Sequence, residues 1–441
     1  MQSLIINGGR KLKGEVSVSG AKNVALKLIV ASLLTDEEVI INNVPRISDL
    51  FILLEIIKDL GVSVSFADHA LTIQAKQLSD YEIPLDAGAR IRASSIFIAP
   101  LLARLGKVLI PNPGGCRIGA RPVDRTIDGL TKMGASIRYV SQDGYFHAQT
   151  KGLVGTNYKF AKNTHTGTET LLMAAVLARG KTVIENAAQE PEVDELIAFL
   201  NSMGGKITRQ DRTITVYGVG KLHGTQFTVS PDRNEVVTFA AAAAICGGDI
   251  IVKNAKKQDI MAFLDTFKKA GGKWRELSNG GLRFWLESSL TATNVQTSPH
   301  PGFMTDWQGP WAVLMTQAKG TSIIHETVYE NRFGYVEELR KMGAHIELFN
   351  PEENFPKNFY NFNISDDKDG YFHGAKVTGP AKLHNAILNI SDLRAGATLV
   401  LAALAARGES VIFGVEHLDR GYEAFEERLS SLGADIKRVL S

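Results

Sequence analysis

Glu192-Val-Asp-Glu-Leu-Ile-Ala-Phe-Leu-Asn-Ser-Met203 runs straight into Gly204-Gly-Lys-Ile207. Its apolar residues recur at three- and four-residue spacing, the mark of an amphipathic helix with one buried face. The glycine after Met203 is the residue expected just past a last helical turn, because it takes the left-handed conformation without steric cost. The same ending recurs as Leu60-Gly-Val-Ser-Val64, Met133-Gly-Ala-Ser-Ile137, Ala270-Gly-Gly-Lys-Trp274, Met342-Gly-Ala-His-Ile346 and Leu432-Gly-Ala-Asp-Ile436. A helix-to-strand junction repeated at a nearly fixed interval predicts a repeat architecture.

Between these junctions lies a second, more uniformly apolar helix, at Asn23–Leu34, Ala93–Leu105, Thr168–Arg179, Glu235–Ile245, Gly309–Ala318 and Leu393–Arg407. A helix apolar on most faces is buried, and its amphipathic partner covers it. The predicted unit is therefore βαβαββ, about seventy residues long, and the fold class is α/β with six such units. Three fill 21–229. The other three fill 230–441, with the arm 1–20 expected to pair into that second domain. The last interval is longer, and its excess falls in Asn350-Pro-Glu-Glu-Asn-Phe-Pro through Gly370, which is rich in Asn, Pro and Asp and has no helical period. It reads as a surface extension that the core does not need.

Composition excludes several classes. A net charge of +2 over 441 residues is no polyanion-binding composition, so any anion site must be a local cluster. No apolar run reaches membrane-spanning length, and the opening residues lack a secretion signal's apolar core. With two cysteines in unlike contexts, a reducing, cytoplasmic setting is expected. No His-x-x-His, His-Glu-x-x-His, Walker or strand-linked Gly-x-Gly-x-x-Gly pattern is present.

The chemistry-bearing stretch is Pro111-Asn-Pro-Gly-Gly-Cys-Arg-Ile-Gly-Ala-Arg-Pro-Val-Asp124. Its glycines and prolines predict a loop, which sets Cys116 between Arg117 and Arg121, where neighbouring cations favour thiolate. Cys246, on an Ala-rich helix, reads as a small core residue. Lys22 and Asn23 open the first buried helix, Arg90 and Arg92 the second, and Asp392 and Arg394 the last. Cations there, added to a helix N-terminus that already attracts anions, suggest a phosphate or carboxylate site. Asp306, in a Pro- and Gly-containing loop before the fifth buried helix, is the foremost candidate base, with capping as its bland alternative. Arg332 and the run Asp419–Glu423 are weaker candidates.

Seven segments resemble the UDP-N-acetylglucosamine enolpyruvyl transferase family of the EPSP synthase superfamily. They are Ser19-Gly-Ala-Lys-Asn23, the Cys116 loop through Asp124, Pro231-Asp-Arg-Asn-Glu235, Thr305-Asp-Trp-Gln308, Glu330-Asn-Arg-Phe333, Asp392-Leu-Arg-Ala395 and Asp419-Arg-Gly-Tyr-Glu423. The resemblance implies a two-domain inside-out α/β barrel that closes over its substrates, phosphoenolpyruvate and UDP-N-acetylglucosamine. It implies no cofactor, metal, nucleic-acid or membrane partner, and leaves the oligomeric state open. It further implies that Cys116 is the general acid, that Asp306 takes the hydroxyl proton, and that Lys22, Arg92, Arg121 and Arg394 hold the phosphate and carboxylate. Asn23 would meet the reacting centre, and Arg121, Pro122, Val123, Asp124, Arg125, Thr164, His165, Val328 and Arg332 would complete the binding site.

The chain departs from the family pattern at Thr164-His-Thr-Gly-Thr168, Thr126, Trp307 and Gly396, and in the 350–370 extension. Two rival readings remain. A 3-phosphoshikimate-using relative would lack the Pro-Gly-Gly-Cys loop. A non-catalytic nucleotide-sugar-binding paralogue would have lost Cys116, Lys22, Asp306 or Arg394, and all four are present.

Overall fold

The computed structural model describes residues 2–115, 118–120, 122–278, 280–352, 355–356 and 359–440. Cys116 and Arg121, both expected at the site, lie outside the described residues.

All six landmark glycines (61, 134, 204, 271, 343 and 433) are left-handed, with φ between 84 and 99°. At five of them the next residue's N–H returns to the carbonyl five positions back, as Val62 to Ile57 and Gly205 to Leu200. That bond satisfies a carbonyl that the helix end would otherwise orphan, and it turns the chain into the following strand.

Six sheets form among the described residues, and they share one plan. In one of them Lys181–Glu185 has Asn157–Lys159 as a parallel neighbour and Thr213–Tyr217 as an antiparallel one, with Lys206–Gln210 beyond. The same order holds for Thr225–Thr228, Glu38–Asn42, Ala70–Gln74 and Ser63–Ala67. In the three-stranded sheet built on Lys107–Pro111, a single parallel bridge from Glu82 to Leu109 stands where the fourth strand would be. The N-terminal arm supplies two strands: Gln2–Asn7 pairs with Glu409–Phe413 and Asp435–Leu440, and Lys13–Ser17 lies parallel to Asp249–Lys253.

The chain divides into two compact units, Met1–Ser19 with Cys116–Arg121 and Pro231–Ser441, and Gly20–Gly115 with Pro122–Ser230. Each has its own hydrophobic core. In the first unit the helices Arg233–Ile245, Gln308–Thr316 and Leu393–Ala405 pack against one another in all three pairings. Their interior is largely alanine: Ala240 to Ala243 are fully buried, as are Ala402 and Ala403. Small side chains let these backbones approach, and at Gly309 a Cβ would stand 2.2 Å from Thr398 Oγ1. Sheet strands such as Lys181–Glu185 alternate exposed and buried residues, with Thr182 and Ile184 inward. Helices inside and half-wet sheets outside make the inside-out α/β fold. Among the described residues no helix is long and apolar enough to cross a membrane.

The 350–370 extension, which continues to His373, packs against its own unit. It is the loop of the hairpin formed by His345–Phe349 and Gly374–Gly379, whereas the matching loop between Gln210 and Thr213 holds only two residues. Phe362 and His373 are buried in it. Phe355 and Phe359 stack at 4.1 Å between centroids, and both rings lie against His325. The aromatic residues in an otherwise polar stretch are what anchor it.

Candidate active site

In the first unit the site is built around Asp306, in the single 3-10 turn Thr305–Trp307 ahead of the helix Gln308–Thr316. Its carboxylate makes no capping bond to that turn or to the helix. Instead Oδ1 accepts from Arg332 Nη2 at 2.7 Å and Oδ2 accepts from Arg394 Nε at 3.1 Å. Burial alone would raise the carboxyl pKa, but the Arg394 and Arg332 guanidiniums outweigh it and hold it at about 2. Trp307 fixes this turn: it is buried against Phe303, and its indole N–H donates to Asn234 Oδ1 at 2.9 Å.

Arg394 stands at the second residue of the helix Leu393–Ala405, whose cap is Asp392, accepting from the N–H groups of Arg394 and Ala395. The Arg394 guanidinium also donates to Tyr422 Oη at 3.2 Å and lies over that ring, and Tyr422 Oη meets Thr238 Oγ1 at 2.9 Å. Arg332 sits 3.8 Å from Asp392 as well as on Asp306. Two buried cations thus face one carboxylate, a ready arrangement for receiving further negative charge.

Glu326 ties this cluster to Val328. It is fully buried just past the strand Gly320–His325. One oxygen accepts from the Thr305 hydroxyl and the Gln308 amide, the other from the N–H groups of Val328 and Tyr329. Burial pushes its carboxyl pKa up against the pull of Arg332 and these donors. In the same unit the Ala120 N–H donates to the buried carboxylate of Glu330, and a Cβ at Gly119 would fall 2.5 Å from it.

The second unit gathers the other expected residues. Lys22 is the first residue of the helix Lys22–Ala31, and its ammonium meets Asp49 at 2.7 Å. Asn23 follows it, half-buried, and Arg92 opens the 3-10 segment Arg92–Phe97. Arg90 corrects the reading of cations at helix starts: it ends the helix Leu85–Arg90. Pro122 and Val123 precede the helix Asp124–Lys132, on which Arg125 donates to the Asn163 carbonyl at 3.1 Å. Thr164 caps the helix His165–Ala175, its hydroxyl accepting from Gly167 N–H. His165 lies 3.0 Å from the wholly buried Glu169, whose other oxygen is 3.2 Å from Lys27. Burial lowers the imidazole pKa, but Glu169 outweighs it and the net direction is up.

An enzyme of Acidobacterium capsulatum named UDP-N-acetylglucosamine 1-carboxyvinyltransferase is 41% identical over 444 residues, spanning 100% of this chain and 96% of that one. One of the same name from Brucella ovis is 42% identical over 452 residues and the full length of both. The chain belongs to the UDP-N-acetylglucosamine 1-carboxyvinyltransferase family. The wider family profile, EPSP synthase (3-phosphoshikimate 1-carboxyvinyltransferase), matches residues 6–429. In fold, the chain is similar to the enolpyruvyl transferase NikO from Streptomyces tendae, with a TM-score of 0.86, 24% identity and coverage of 100% and 99%. It is also similar to the EPSP synthase of Acinetobacter baumannii, with a TM-score of 0.73, 19% identity and full coverage of both chains.

For this member of the 1-carboxyvinyltransferase family, sequence reasoning missed Glu326 and Asp49, which hold expected site residues in place. Glu326 follows an alternating strand and carries no motif. Asp49, beside Ser48 at a helix start, looks like an ordinary capping residue. The run 419–423 splits: Asp419 accepts two bonds from Arg438, both 2.7 Å, while Tyr422 joins Arg394.

Proposed function

We propose that the chain transfers the enolpyruvyl group of phosphoenolpyruvate to the 3-hydroxyl of UDP-N-acetylglucosamine and releases phosphate, the entry step to peptidoglycan. The full-length likeness to enzymes of that name carries the reading, and Asp306 between two buried arginines gives it a chemical centre.

In this reading the sugar oxygen attacks C2 of phosphoenolpyruvate while Cys116 gives a proton to C3. The tetrahedral adduct then returns a proton from the C3 methyl to the Cys116 thiolate as the C2–O bond to phosphate breaks, leaving the enol ether. Asp306 accepts the hydroxyl proton. A carboxylate held at about 2 is a weak base, so an incoming anion that draws Arg394 away would strengthen it as the substrate arrives. Lys22, Arg92, Arg121 and Arg394 hold the phosphate and carboxylate of this small polyanion. Asn23 meets the reacting centre, and Pro122, Val123, Asp124, Arg125, Thr164, His165, Val328 and Arg332 line the nucleotide-sugar site. Both substrates are cytoplasmic metabolites, so the reaction belongs in that compartment.

The test is phosphate release from phosphoenolpyruvate with and without UDP-N-acetylglucosamine. The reading expects release only with the nucleotide sugar. A rate independent of it would point to a hydrolase, and no release with either would favour a binding protein.

A further inference from the structure

The loop 350–373 has no counterpart in the repeat's other hairpins, yet it ends on the segment that carries Val328 and Arg332. Three contacts join them. The His325 ring is packed by Phe355, Phe359 and Tyr360, with centroids 5.2, 5.4 and 5.7 Å away, and its Nε2 is 3.1 Å from Tyr360 Oη. The Glu326 N–H donates to the His373 carbonyl at 2.8 Å. The Asn361 N–H donates to the Thr327 carbonyl at 2.8 Å.

The loop is itself tied down at both ends. Asn350 donates to the Tyr371 carbonyl and accepts from the His373 N–H, and His373 Nε2 lies 2.9 Å from Asp367. Three consecutive residues are therefore held from one side, His325 by the aromatic rings and Glu326 and Thr327 by backbone bonds to His373 and Asn361, while Thr297 holds Thr327 on the other. Glu326, in the middle of the three, passes that constraint on. Its carboxylate orients Val328 and Tyr329 through their N–H groups, and Asp306 through its neighbour Thr305. Thr305 Oγ1 in turn accepts from Arg332 Nε.

We infer that the 350–373 loop is a brace for acceptor binding: by fixing His325–Thr327 it sets Glu326, and through Glu326 the positions of Val328 and Asp306 against the nucleotide sugar. Phe359 and Tyr360 are its positioning residues. The inference rests on the proposed function for its substrate, but the brace itself is a property of the loop and strand end.

The test uses the full chain carrying F359A and Y360A together, with Y360F as the conservative variant that keeps the ring. Hydrogen exchange at the Val328 and Tyr329 amides is read beside the KM for each substrate. The brace expects faster exchange at those amides, a KM for UDP-N-acetylglucosamine raised about tenfold and a KM for phosphoenolpyruvate unchanged within about twofold. Y360F should recover most of the acceptor KM while still exchanging faster than wild type. Unchanged exchange overturns the brace, and faster exchange with an unchanged acceptor KM overturns its role in binding. If the double variant does not fold, Y360F decides alone by the same exchange readout at equal melting temperature. A wild-type chain inert toward UDP-N-acetylglucosamine would sink the functional reading, while exchange at Val328 would still judge the brace.

Discussion

The two thiols of the chain separate the chemical roles of single residues. Burial pushes the Cys246 thiol up to about 12, so it stays protonated and unreactive at neutral pH. For Cys116 the expectation rests on the sequence, where Arg117 and Arg121 flank it and cations so placed favour thiolate. An anionic phosphonate epoxide such as fosfomycin should therefore alkylate Cys116 and spare Cys246, as intact mass and peptide mapping would show. Cys116→Ser should lose alkylation and most turnover, and Cys116→Asp should resist the epoxide while retaining turnover, because a carboxyl can still donate a proton. Label on Cys246 would contradict this assignment. Asp306→Asn should cut turnover about 10²–10⁴-fold, the usual worth of a positioned base. It also removes a carboxylate whose folded pKa, about 2, lies below the ordinary 3.8. Such a group stabilises the fold fully above 3.8, and its contribution fades as pH falls through 2. The wild type's advantage over Asp306→Asn in urea melts should shrink across that window, and a constant gap would contradict the pairing. Asp306, Arg332 and Arg394 were each singled out in the sequence, but no local pattern announced their pairing across 26 and 88 residues.

At the scale of elements, the helix stops were the most legible feature, because glycine past a last turn has a local cause. Gly134 tests that cause cleanly: at φ 93° a Cβ would find its nearest neighbour at 3.8 Å, so only backbone conformation resists a side chain. Gly134→Ala should cost about 1–2 kcal/mol in denaturant melts. Gly309→Ala fails for a different reason, the 2.2 Å approach to Thr398 Oγ1. It should cost about 1–3 kcal/mol, and Thr398→Ala should return part of that loss, whereas strict additivity would contradict the contact. Which helix face meets which is set by such cross-chain approaches, and no local period announces them. The packing of the 350–373 loop was not legible for the same reason: its Pro, Asn and Asp content describes its backbone, while its anchoring depends on His325, which it meets only in the folded chain.

At the scale of the molecule, the repeat and the α/β class followed from periodicity, and the inside-out arrangement follows from the apolar helices having no wet face to offer. The pairing of Gln2–Asn7 with Asp435–Leu440 joins the two ends of the chain. It was foreseeable only because the repeat count left the arm without a place in the first half. Acceptor choice is the property on which members of the wider family differ, and it decides what this chain does. The most direct measurement offers phosphoenolpyruvate with equal amounts of UDP-N-acetylglucosamine and 3-phosphoshikimate, and identifies the product by mass and by the carbon that bears the new ether. The account predicts that the nucleotide sugar alone is converted, at its 3-hydroxyl, with one phosphate released per ether formed. An enolpyruvyl ether on 3-phosphoshikimate, or phosphate released with neither acceptor changed, would contradict it.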